Sequence, residues 1–279
     1  MNLNIKEITF VIVTYKSETI LHDCLVSLPK ESQKIIVENS NNINLKKNLV
    51  SKYDNIEVIM MSENIGMGAG NNIGLKACKT DYAFVLNPDV ILNKNTLKNL
   101  IAGLQEVKDF TLASPANDNP NFPNFKTTSP NLENDNVLSV SRIDGFSMLF
   151  NMKKFSNENF FDENFFLYLE NDDLCLRIKN KKQKIYIVKN SLIRHEGGIS
   201  KYQDLELLRN WHWMWSKFYF NKKHYGYIFS LFTVSSNFFS GCLKFLFYLI
   251  IFNTHKRNIY KIRIFGLLNS MLGKKSWYR

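Results

Sequence analysis

The sequence has few of the residues that build disulfide frameworks or zinc sites. It contains four cysteines in 279 residues, and no two of them form a C-x-x-C pair. Widely spaced cysteines of this kind are typical of reduced side chains in a cytosolic protein. The first ten residues, MNLNIKEITF, also lack the basic and apolar stretches of a secretory signal. We therefore expect a cytosolic chain without disulfides.

Acidic residues are almost absent from the end of the chain. Residues 1–200 hold 23 basic and 23 acidic side chains, whereas residues 201–279 hold 13 basic and only two acidic ones. This tail therefore carries the whole net charge of +11, and it also contains all four tryptophans. A neutral body with a cationic, aromatic tail indicates an anionic partner for the tail alone. The balanced body is evidence against a nucleic-acid-binding protein.

Prolines are scarce outside one segment, because four of the six lie within residues 115–136. A polar, proline-rich stretch of this length predicts a loop. Before it, apolar runs that read as strands alternate with helical segments. The first helix is predicted over 18–28, capped by Ser17 and closed by Pro29. This alternation indicates an α/β fold with a mostly parallel sheet.

Polar clusters follow several predicted strands, at Thr14-Tyr15, at 38–40 and at 87–89. In open α/β sheets, ligands bind outside the carboxyl ends of the strands. The first two clusters suit the base and ribose of a nucleoside. Asn and Ser also favour turns, so turn chemistry remains the alternative. A glycine-rich segment at 66–74 does not match G-x-G-x-x-G and follows the third strand. We expect its glycines to allow a tight turn and close approach to a ligand.

Two further clusters suggest a metal and a base. Asp89, after an apolar strand, and His195, before two glycines, would suit Mg²⁺ or Mn²⁺ bridging a diphosphate. A turn aspartate and a structural histidine are the alternative readings. Three acids occupy four positions at 170–173, before a helical stretch. They predict either a helix cap or a general base whose pKa is raised by aromatic neighbours.

Eight motifs in one order then carry a family resemblance. They are VIVTY (11–15), ENS (38–40), NIG with GNNIG (64–66, 70–74), LNPDV (86–90), DGFSM (144–148), FDENFF (161–166), YLENDDLCLR (168–177) and HEGGIS (195–200). Over residues 8–200 the chain resembles the family 2 inverting glycosyltransferases of GT-A fold. Within that family it is most similar to the rhamnosyltransferase-like branch.

The resemblance implies a dTDP- or UDP-sugar donor, a divalent cation (Mg²⁺ or Mn²⁺) and inversion at the anomeric carbon. It implies metal binding by Asp89 and His195, and an acceptor side at Gly145 and Phe146. The implied nucleotide-sugar-binding residues are Thr14, Tyr15, Glu38, Asn39, Asn64, Gly66, Asn71 and Asn87.

The chain departs from the family pattern at two places. Glu38 stands where the family often has Asp. Asn171 occupies the second place of the Glu-Asp-x-Asp-Leu motif, which commonly holds the base, and an amide cannot accept that proton. Either Glu170 or Asp172 must then act as base, with Glu170 preferred, or the chain is a catalytically impaired scaffold. A nucleotidyltransferase is disfavoured because no glycine-rich, basic loop follows the first strand.

The sequence predicts a GT-A catalytic domain over 1–205 and a helical, basic-aromatic, membrane-associating region over 206–279. Lys244 interrupts the most apolar stretch, so we expect helices lying in the interface of an anionic membrane rather than a spanning helix. Packing against the catalytic core is the alternative for some of these residues. The expected acceptor is a saccharide or a lipid-linked saccharide, and the expected location is the inner face of the cell membrane.

Overall fold

The computed structural model describes residues 3–107, 109–127, 131–155, 160–195 and 203–278. The chain divides into two compact units. The first unit comprises Met1–Asp162 and Asn171–Gly197, and the second comprises Glu163–Glu170 and Gly198–Arg279. Of the predicted motifs, positions 196–200 of HEGGIS lie outside the described residues.

The first unit is built on a ten-stranded sheet with the order β3-β2-β1-β4-β11-β6-β12-β9-β8, in which β5 also pairs with β12. A separate two-stranded sheet joins β7 and β10. The strands are β1 (Ile8–Thr14), β2 (Lys34–Glu38), β3 (Ile56–Met60), β4 (Tyr82–Leu86), β5 (Val90–Leu92), β6 (Leu112–Asn117), β7 (Phe125–Lys126), β8 (Asn131–Leu132), β9 (Val137–Ser139), β10 (Arg142–Ile143), β11 (Ser147–Asn151) and β12 (Ile185–His195).

The predicted mostly parallel α/β sheet is confirmed. Strands β3, β2, β1 and β4 run parallel, β6 and β12 run parallel, and β11 lies antiparallel between β4 and β6. Every residue of β1, β2 and β4 is buried. Strands buried on both faces read as continuous apolar runs, which is why these were legible in the sequence.

Eight α-helices complete the described structure. They are α1 (Glu18–Ser27), α2 (Ile43–Lys52), α3 (Met67–Ala77), α4 (Thr96–Gln105), α5 (Glu170–Asn180), α6 (Gln203–Tyr225), α7 (Tyr227–Ile250) and α8 (Thr254–Met271). The predicted side-chain cap of α1 is wrong. Ser17 occupies the N-cap position, but its Oγ donates to the Tyr15 carbonyl at 2.9 Å instead of accepting from the helix.

The prediction of a loop over 115–136 is only partly correct. Strand β6 extends to Asn117, and β7 and β8 also fall within this range. Asn124 organises the segment from inside, because its Nδ2 donates to the Pro115 carbonyl at 2.9 Å and its Oδ1 accepts from Asn117 N at 3.0 Å. Buried amides of this kind let a polar, proline-rich stretch take a fixed conformation.

Helix α3 lies unusually close to β1. A Cβ atom at Gly74 would lie 2.4 Å from Val11 Cγ1, and one at Gly70 would lie 2.9 Å from Val13 Cγ1. The expectation that these two glycines approach a ligand is therefore replaced by a packing role. Gly66 has φ of +92°, so it makes the tight turn that was expected just before the helix.

The second unit packs α6, α7 and α8 against one another. Its buried core contains Met214, Phe218, Val234 and Leu267. Gly266 lets α8 contact α6, since a Cβ atom there would lie 2.3 Å from the Trp211 carbonyl oxygen. Within the described residues, α7 is the one helix long and apolar enough to cross a membrane, by length and composition alone. Only 11% of its most apolar window is buried.

Candidate active site

Asp89 and His195 lie together, as predicted from their positions at strand ends. Strand β5 pairs antiparallel with the end of β12, and Val90 is the register partner of His195. Asp89 immediately precedes β5, and its Oδ1 lies 3.4 Å from His195 Nε2. Two residues 106 positions apart in the chain are thus brought together by a three-residue strand.

The imidazole of His195 is held by an aromatic contact. The Phe146 ring stacks on it with a centroid distance of 3.8 Å and an interplanar angle of 15°. The backbone of Phe146 is fixed in turn, because its carbonyl accepts a hydrogen bond from Asn87 N at 2.9 Å. Gly145 and Phe146, predicted on the acceptor side, therefore lie beside the predicted metal ligands, and Phe146 orients one of them.

The carboxylate of Asp89 sits in a largely buried setting. Its side chain is 12% exposed, and among the described residues its Oδ1 is buried without a hydrogen-bond partner. Cys24 is nearby, with its Sγ 3.7 Å from the Asn87 carbonyl oxygen. Burial, together with the negative charge of Asp89, raises the pKa of the Cys24 thiol to about 12. Cys24 is therefore an uncharged, structural thiol.

The donor set fits a divalent cation that draws its other ligands from a bound diphosphate. Among the described residues, no group of three or more His, Cys, Asp and Glu side chains is placed to hold a metal. Asp89 and His195 supply one oxygen and one nitrogen ligand, which suit Mn²⁺ and, less well, Mg²⁺. A buried carboxylate oxygen with no hydrogen-bond partner is also a recurring feature of ion sites.

The ends of β1 and β2 are joined to the loop after β3 by an amide network. Asn39 Nδ2 donates to Asn64 Oδ1 and to the Gly66 carbonyl, both at 3.2 Å, and Asn39 Oδ1 accepts from Ile65 N at 3.3 Å. Asn39 N also donates to the Thr14 carbonyl at 2.8 Å. Four predicted nucleotide-sugar residues, Thr14, Asn39, Asn64 and Gly66, are therefore contiguous in space.

The buried carboxylate of Glu38 stabilises the loop that follows β2. Glu38 is fully buried, and its carboxylate accepts from Ser40 N at 2.9 Å, from Asn42 N at 2.6 Å and from Ser40 Oγ. These bonds hold the loop that follows β2. The geometry gives Glu38 a loop-organising role, in addition to whatever contact a nucleoside makes with it.

A cavity of about 590 Å³ opens beside the same loop. It is lined by residues that follow β1 and β2: Lys16, Glu18, Ser40, Asn41, Asn42, Ile43 and Asn44. Tyr15 is half-buried next to it, with Lys16 Nζ 5.3 Å from the centre of its ring. The cavity lies within the size range of small-molecule sites, with polar and cationic groups on its wall.

Two neighbouring asparagines of α3 differ in role. Asn72 is bonded to the backbone of Phe161, donating from Nδ2 at 2.8 Å and accepting at Oδ1 at 2.9 Å. It therefore anchors the segment around Phe161. Asn71 is also buried, and within the described structure its Oδ1 has no hydrogen-bond partner, as is true of Thr14 Oγ1. Thr14 and Asn71 are the better ligand-binding candidates.

The acidic cluster at the start of α5 is divided among different tasks. Asp173 is fully buried and pairs with Arg177 Nε at 2.9 Å, which is a structural contact. Asp172 Oδ1 accepts from Arg142 Nη1 at 2.8 Å, and Arg142 Nη2 also contacts Asp144 at 2.8 Å. Burial raises the pKa of Asp172, while Arg142 acts in the opposite direction.

Asn171, at the position where the resemblance implies a base, has structural contacts. Its Nδ2 donates to the Ile143 carbonyl at 3.0 Å, and its Cβ would be 3.4 Å from a Cβ at Gly145. The amide therefore holds the turn between β10 and β11. The sequence analysis did not predict that Arg142 pairs with Asp172 and Asp144. The only signal for this pairing in the sequence is an Arg two residues before an Asp.

Glu170, the preferred base, is the first residue of α5 and belongs to the second unit. It is 7% exposed. The two residues before it, Tyr168 and Leu169, have φ of +71° and +67°. Left-handed backbone at non-glycine residues costs about 1–2 kcal/mol each. Such strain clusters at functional sites, because the surrounding structure must hold it in place.

Comparisons with known proteins agree with this picture. The low-salt glycan biosynthesis hexosyltransferase Agl10 of Haloferax volcanii is 23% identical in an alignment of 198 positions, which covers 64% of this chain and 64% of that protein. The chain thus matches less than two thirds of that relative's length.

Solved structures share the fold over nearly the whole chain. The mannosyltransferase PcManGT from Pyrobaculum calidifontis, in complex with GDP-Man and Mn²⁺, has a TM-score of 0.59 at 10% identity, covering 96% of this chain and 88% of its own. TarS 1–349 of S. aureus has a TM-score of 0.53 at 14% identity, with coverage of 98% and 93%. At these identities the likeness shows a GT-A type sheet followed by C-terminal helices, which is the predicted fold.

The sequence profile of glycosyl transferase family 2 matches residues 9–197. This range is more than half of the chain and runs from β1 to just beyond His195, so it includes the whole set of candidate site residues. The chain belongs to glycosyl transferase family 2.

Proposed function

We propose that this protein transfers a hexose from a nucleotide-diphospho-sugar to a saccharide acceptor, with inversion at the anomeric carbon. The observation that carries the proposal is the pair Asp89 and His195, 3.4 Å apart at strand ends of a GT-A type sheet. Family 2 membership supports the reaction class.

Asp89 and His195 would hold a divalent cation, Mn²⁺ or Mg²⁺. The structural neighbour that was solved with GDP-Man and Mn²⁺ supports this part of the proposal. When bound, such an ion stabilises the negative charge that develops on the nucleoside diphosphate as it leaves. Phe146 keeps the imidazole of His195 in place for this role, since its ring stacks at 3.8 Å.

The nucleotide, dTDP or UDP, would bind along the ends of β1 and β2. Thr14, Tyr15 and Asn39 would contact the nucleoside, with Glu38 holding the loop that forms one wall. The polar cavity of about 590 Å³ beside this loop supports the placement. The orphaned Asn71 Oδ1 and the Asn64–Gly66 turn would contact the diphosphate or sugar.

The general base accepts the proton of the acceptor hydroxyl while the bond from the sugar to the diphosphate breaks on the opposite face. We retain Glu170 for this role and Asp172 as the alternative. Asp172 has a raised pKa, which favours proton acceptance, but one of its oxygens is engaged by Arg142. A catalytically impaired scaffold is the second candidate function, and the structural use of Asn171 favours it.

The donor sugar is proposed as rhamnose or another hexose, and the product as a cell-surface polysaccharide or related glycan. The hexosyltransferase of low-salt glycan biosynthesis, 23% identical, supports a hexose and a glycan pathway. A lipid-linked saccharide is the proposed acceptor, because it would bring the substrate to the same surface as the cationic tail.

We further propose a catalytic domain over 1–205 and a membrane-associated region over 206–279, at the inner face of the cell membrane. Helix α7 presents exposed apolar side chains, among them Phe232 at 76% and Leu243 at 69%. Lys244 is exposed beside them, with its Nζ 5.4 Å from the Tyr260 ring centre. A charged group within the apolar helix favours a helix lying in the interface over one spanning it. Full-length protein should float with vesicles containing anionic lipid, and no flotation would refute this part.

Donor binding provides the main test. Thermal unfolding of the full-length protein should shift upward with dTDP- or UDP-sugars, and more so when Mn²⁺ is present. Asp89→Asn should lose the part of the shift that depends on Mn²⁺. Asp54→Asn, an exposed aspartate before β3, is the matched control and should respond like the wild type. A shift in Asp89→Asn equal to that of the control would exclude Asp89 as a metal ligand.

A further inference from the structure

The second unit contains a cavity of about 270 Å³ that the proposed donor site does not use. It is lined by Tyr168, Arg209, Asn210, Trp213 and Arg263, which we call the arginine pocket. Its volume is below the usual range of about 300–1,000 Å³ for sites of drug-sized ligands. Two guanidinium groups and an indole in so small a space suit a compact anion that carries an organic substituent.

The two arginines are brought together by α6 and α8. Arg209 and Trp213 are four residues apart on α6 and therefore lie on one face of that helix. From α8, Arg263 Nη1 donates to Asn210 Oδ1 at 3.0 Å, and its Nη2 contacts Met214 Sδ at 3.6 Å. Both contacts are to neutral groups, so they fix the guanidinium without neutralising its charge.

The aromatic wall of the pocket is rigid. The rings of Tyr168 and Trp213 meet edge to face, with centroids 5.4 Å apart at 83°. Tyr168 is held by the left-handed backbone at its own position and the next. Trp213 is nevertheless 41% exposed, which is high for a tryptophan in a helix bundle. An indole that is fixed in orientation but open to solvent is a ready surface for a ligand.

The residues of α6 and α8 around the pocket are mostly basic, and Glu170 is the acid whose charge acts on Tyr168. Residues 207–279 contain no Asp or Glu. Burial lowers the pKa of Lys217, and the charge of Arg263 lowers it further. Burial raises the pKa of Tyr168, the charge of Arg209 acts to lower it, and the charge of Glu170 acts to raise it. The nearest acid on α6 in sequence, Glu206, lies 3.4 Å from His255.

We propose that the arginine pocket binds a phosphate ester, with Arg209 and Arg263 on the phosphate oxygens and Trp213 against the organic group. Arginine suits this task because its planar donors match phosphate oxygens two at a time. The identity of the ester rests on the proposed function: we assign it to the phosphate of the lipid-linked acceptor. The head group of a bulk anionic lipid offers the same chemistry and is separated by the experiment.

The test titrates full-length protein with dodecyl phosphate below its micelle concentration, without nucleotide sugar or divalent ion. Tryptophan fluorescence and calorimetry report binding. Arg209→Gln and Arg263→Gln should each weaken binding about tenfold or more, the effect of losing a charge-assisted contact. Arg257→Gln is the matched control, since it removes the same charge from the same helix but lies about 120° away from Arg263 around the axis. Its affinity should stay within about twofold of the wild type.

A second arm replaces dodecyl phosphate with phosphatidylglycerol vesicles. Selective loss of dodecyl phosphate binding supports the acceptor assignment. Selective loss of vesicle binding alone supports a phosphate site but overturns its assignment to the acceptor. Equal losses in Arg263→Gln and Arg257→Gln, or no binding by the wild type, overturn the site itself.

Circular dichroism and thermal unfolding check that each variant is folded. If Arg263→Gln does not fold, Arg209→Lys carries the test, because it keeps the charge and loses only the paired donors. It should bind more weakly than the wild type and more tightly than Arg209→Gln. Because no donor or metal is present, failure here leaves donor binding intact, and failure of donor binding leaves this result intact.

Discussion

The contact between α3 and β1 gives a stability prediction whose sign depends on the packing. An alanine in a helix interior is about 1 kcal/mol more favourable than glycine. Gly74→Ala would therefore stabilise the protein if there were space for the methyl group. Its Cβ, however, would lie 2.4 Å from Val11 Cγ1 and 3.4 Å from Val37 Cγ2. Both valines are fully buried in the sheet.

Overpacking of a dense core costs about 1–3 kcal/mol. A contact as short as 2.4 Å places Gly74→Ala near the upper end of that range. After the gain in helix propensity, we expect a net loss of about 1–2 kcal/mol in the free energy of unfolding. Gly70→Ala meets Val13 Cγ1 at 2.9 Å, a milder overlap, and should cost less. Urea unfolding of both variants gives the rank order.

A double mutant separates steric overlap from other causes. Val11→Ala removes the methyl groups that collide with Ala at position 74, so the two changes should be less costly together than the sum of each alone. We expect a favourable coupling of about 1 kcal/mol or more. Equal or greater stability of Gly74→Ala than of the wild type would refute this reasoning. Additive losses in the double mutant would refute it as well.

Three other predictions concern the charged residues. Glu170→Gln should lower turnover by about 10²–10⁴-fold with donor affinity unchanged, measured by product formation and donor titration, and the same loss in Asp172→Asn instead would move the base to Asp172. Burial raises the pKa of Asp172 above its ordinary 3.8, so the native state binds the extra proton and ionisation is unfavourable to folding. As the pH rises from 3.8 towards the higher pKa of Asp172 in the folded state, the wild type should lose stability relative to Asp172→Asn in urea unfolding. A gain in stability with rising pH would contradict the raised pKa. Glu38→Gln should cost about 1.5–3 kcal/mol of stability in the same assay, because an amide cannot accept every hydrogen bond that the loop donates. Surface changes usually alter stability by less than about 0.5 kcal/mol. A loss that small would contradict the loop-organising role.

The elements that were legible in the sequence are those specified by local pattern. Strands β1, β2 and β4 are continuous apolar runs because both faces of the sheet are covered. The polar residues at their ends could be placed at one edge for the same reason. Strand β5 was not predicted, since three residues carry no periodicity and its pairing with β12 joins distant parts of the chain. Yet β5 is what brings Asp89 to His195.

Other features depend on contacts between elements that a single sequence does not display. The sequence predicts that Gly70 and Gly74 approach a ligand, because a residue without a side chain allows close contact. Their packing against β1 becomes visible only when α3 is placed on the sheet. Ser17 has the right residue type for a helix cap, but its hydroxyl donates to the Tyr15 carbonyl and accepts no hydrogen bond from the helix. The residue type limits the roles that a side chain can have, and the contacts in the folded structure decide which role it has.

Asn171 departs from the family pattern, and its amide makes a structural contact that the expected aspartate could not make. Its amide donates to the Ile143 carbonyl at 3.0 Å, a bond that a carboxylate cannot make. Next to it, Asp172 already shares Arg142 with Asp144. An aspartate at position 171 would therefore add a third carboxylate near one guanidinium and leave a carbonyl without its donor. The turn at this position depends on the amide of Asn171. A different carboxylate must therefore accept the proton of the acceptor hydroxyl, or the protein has no general base.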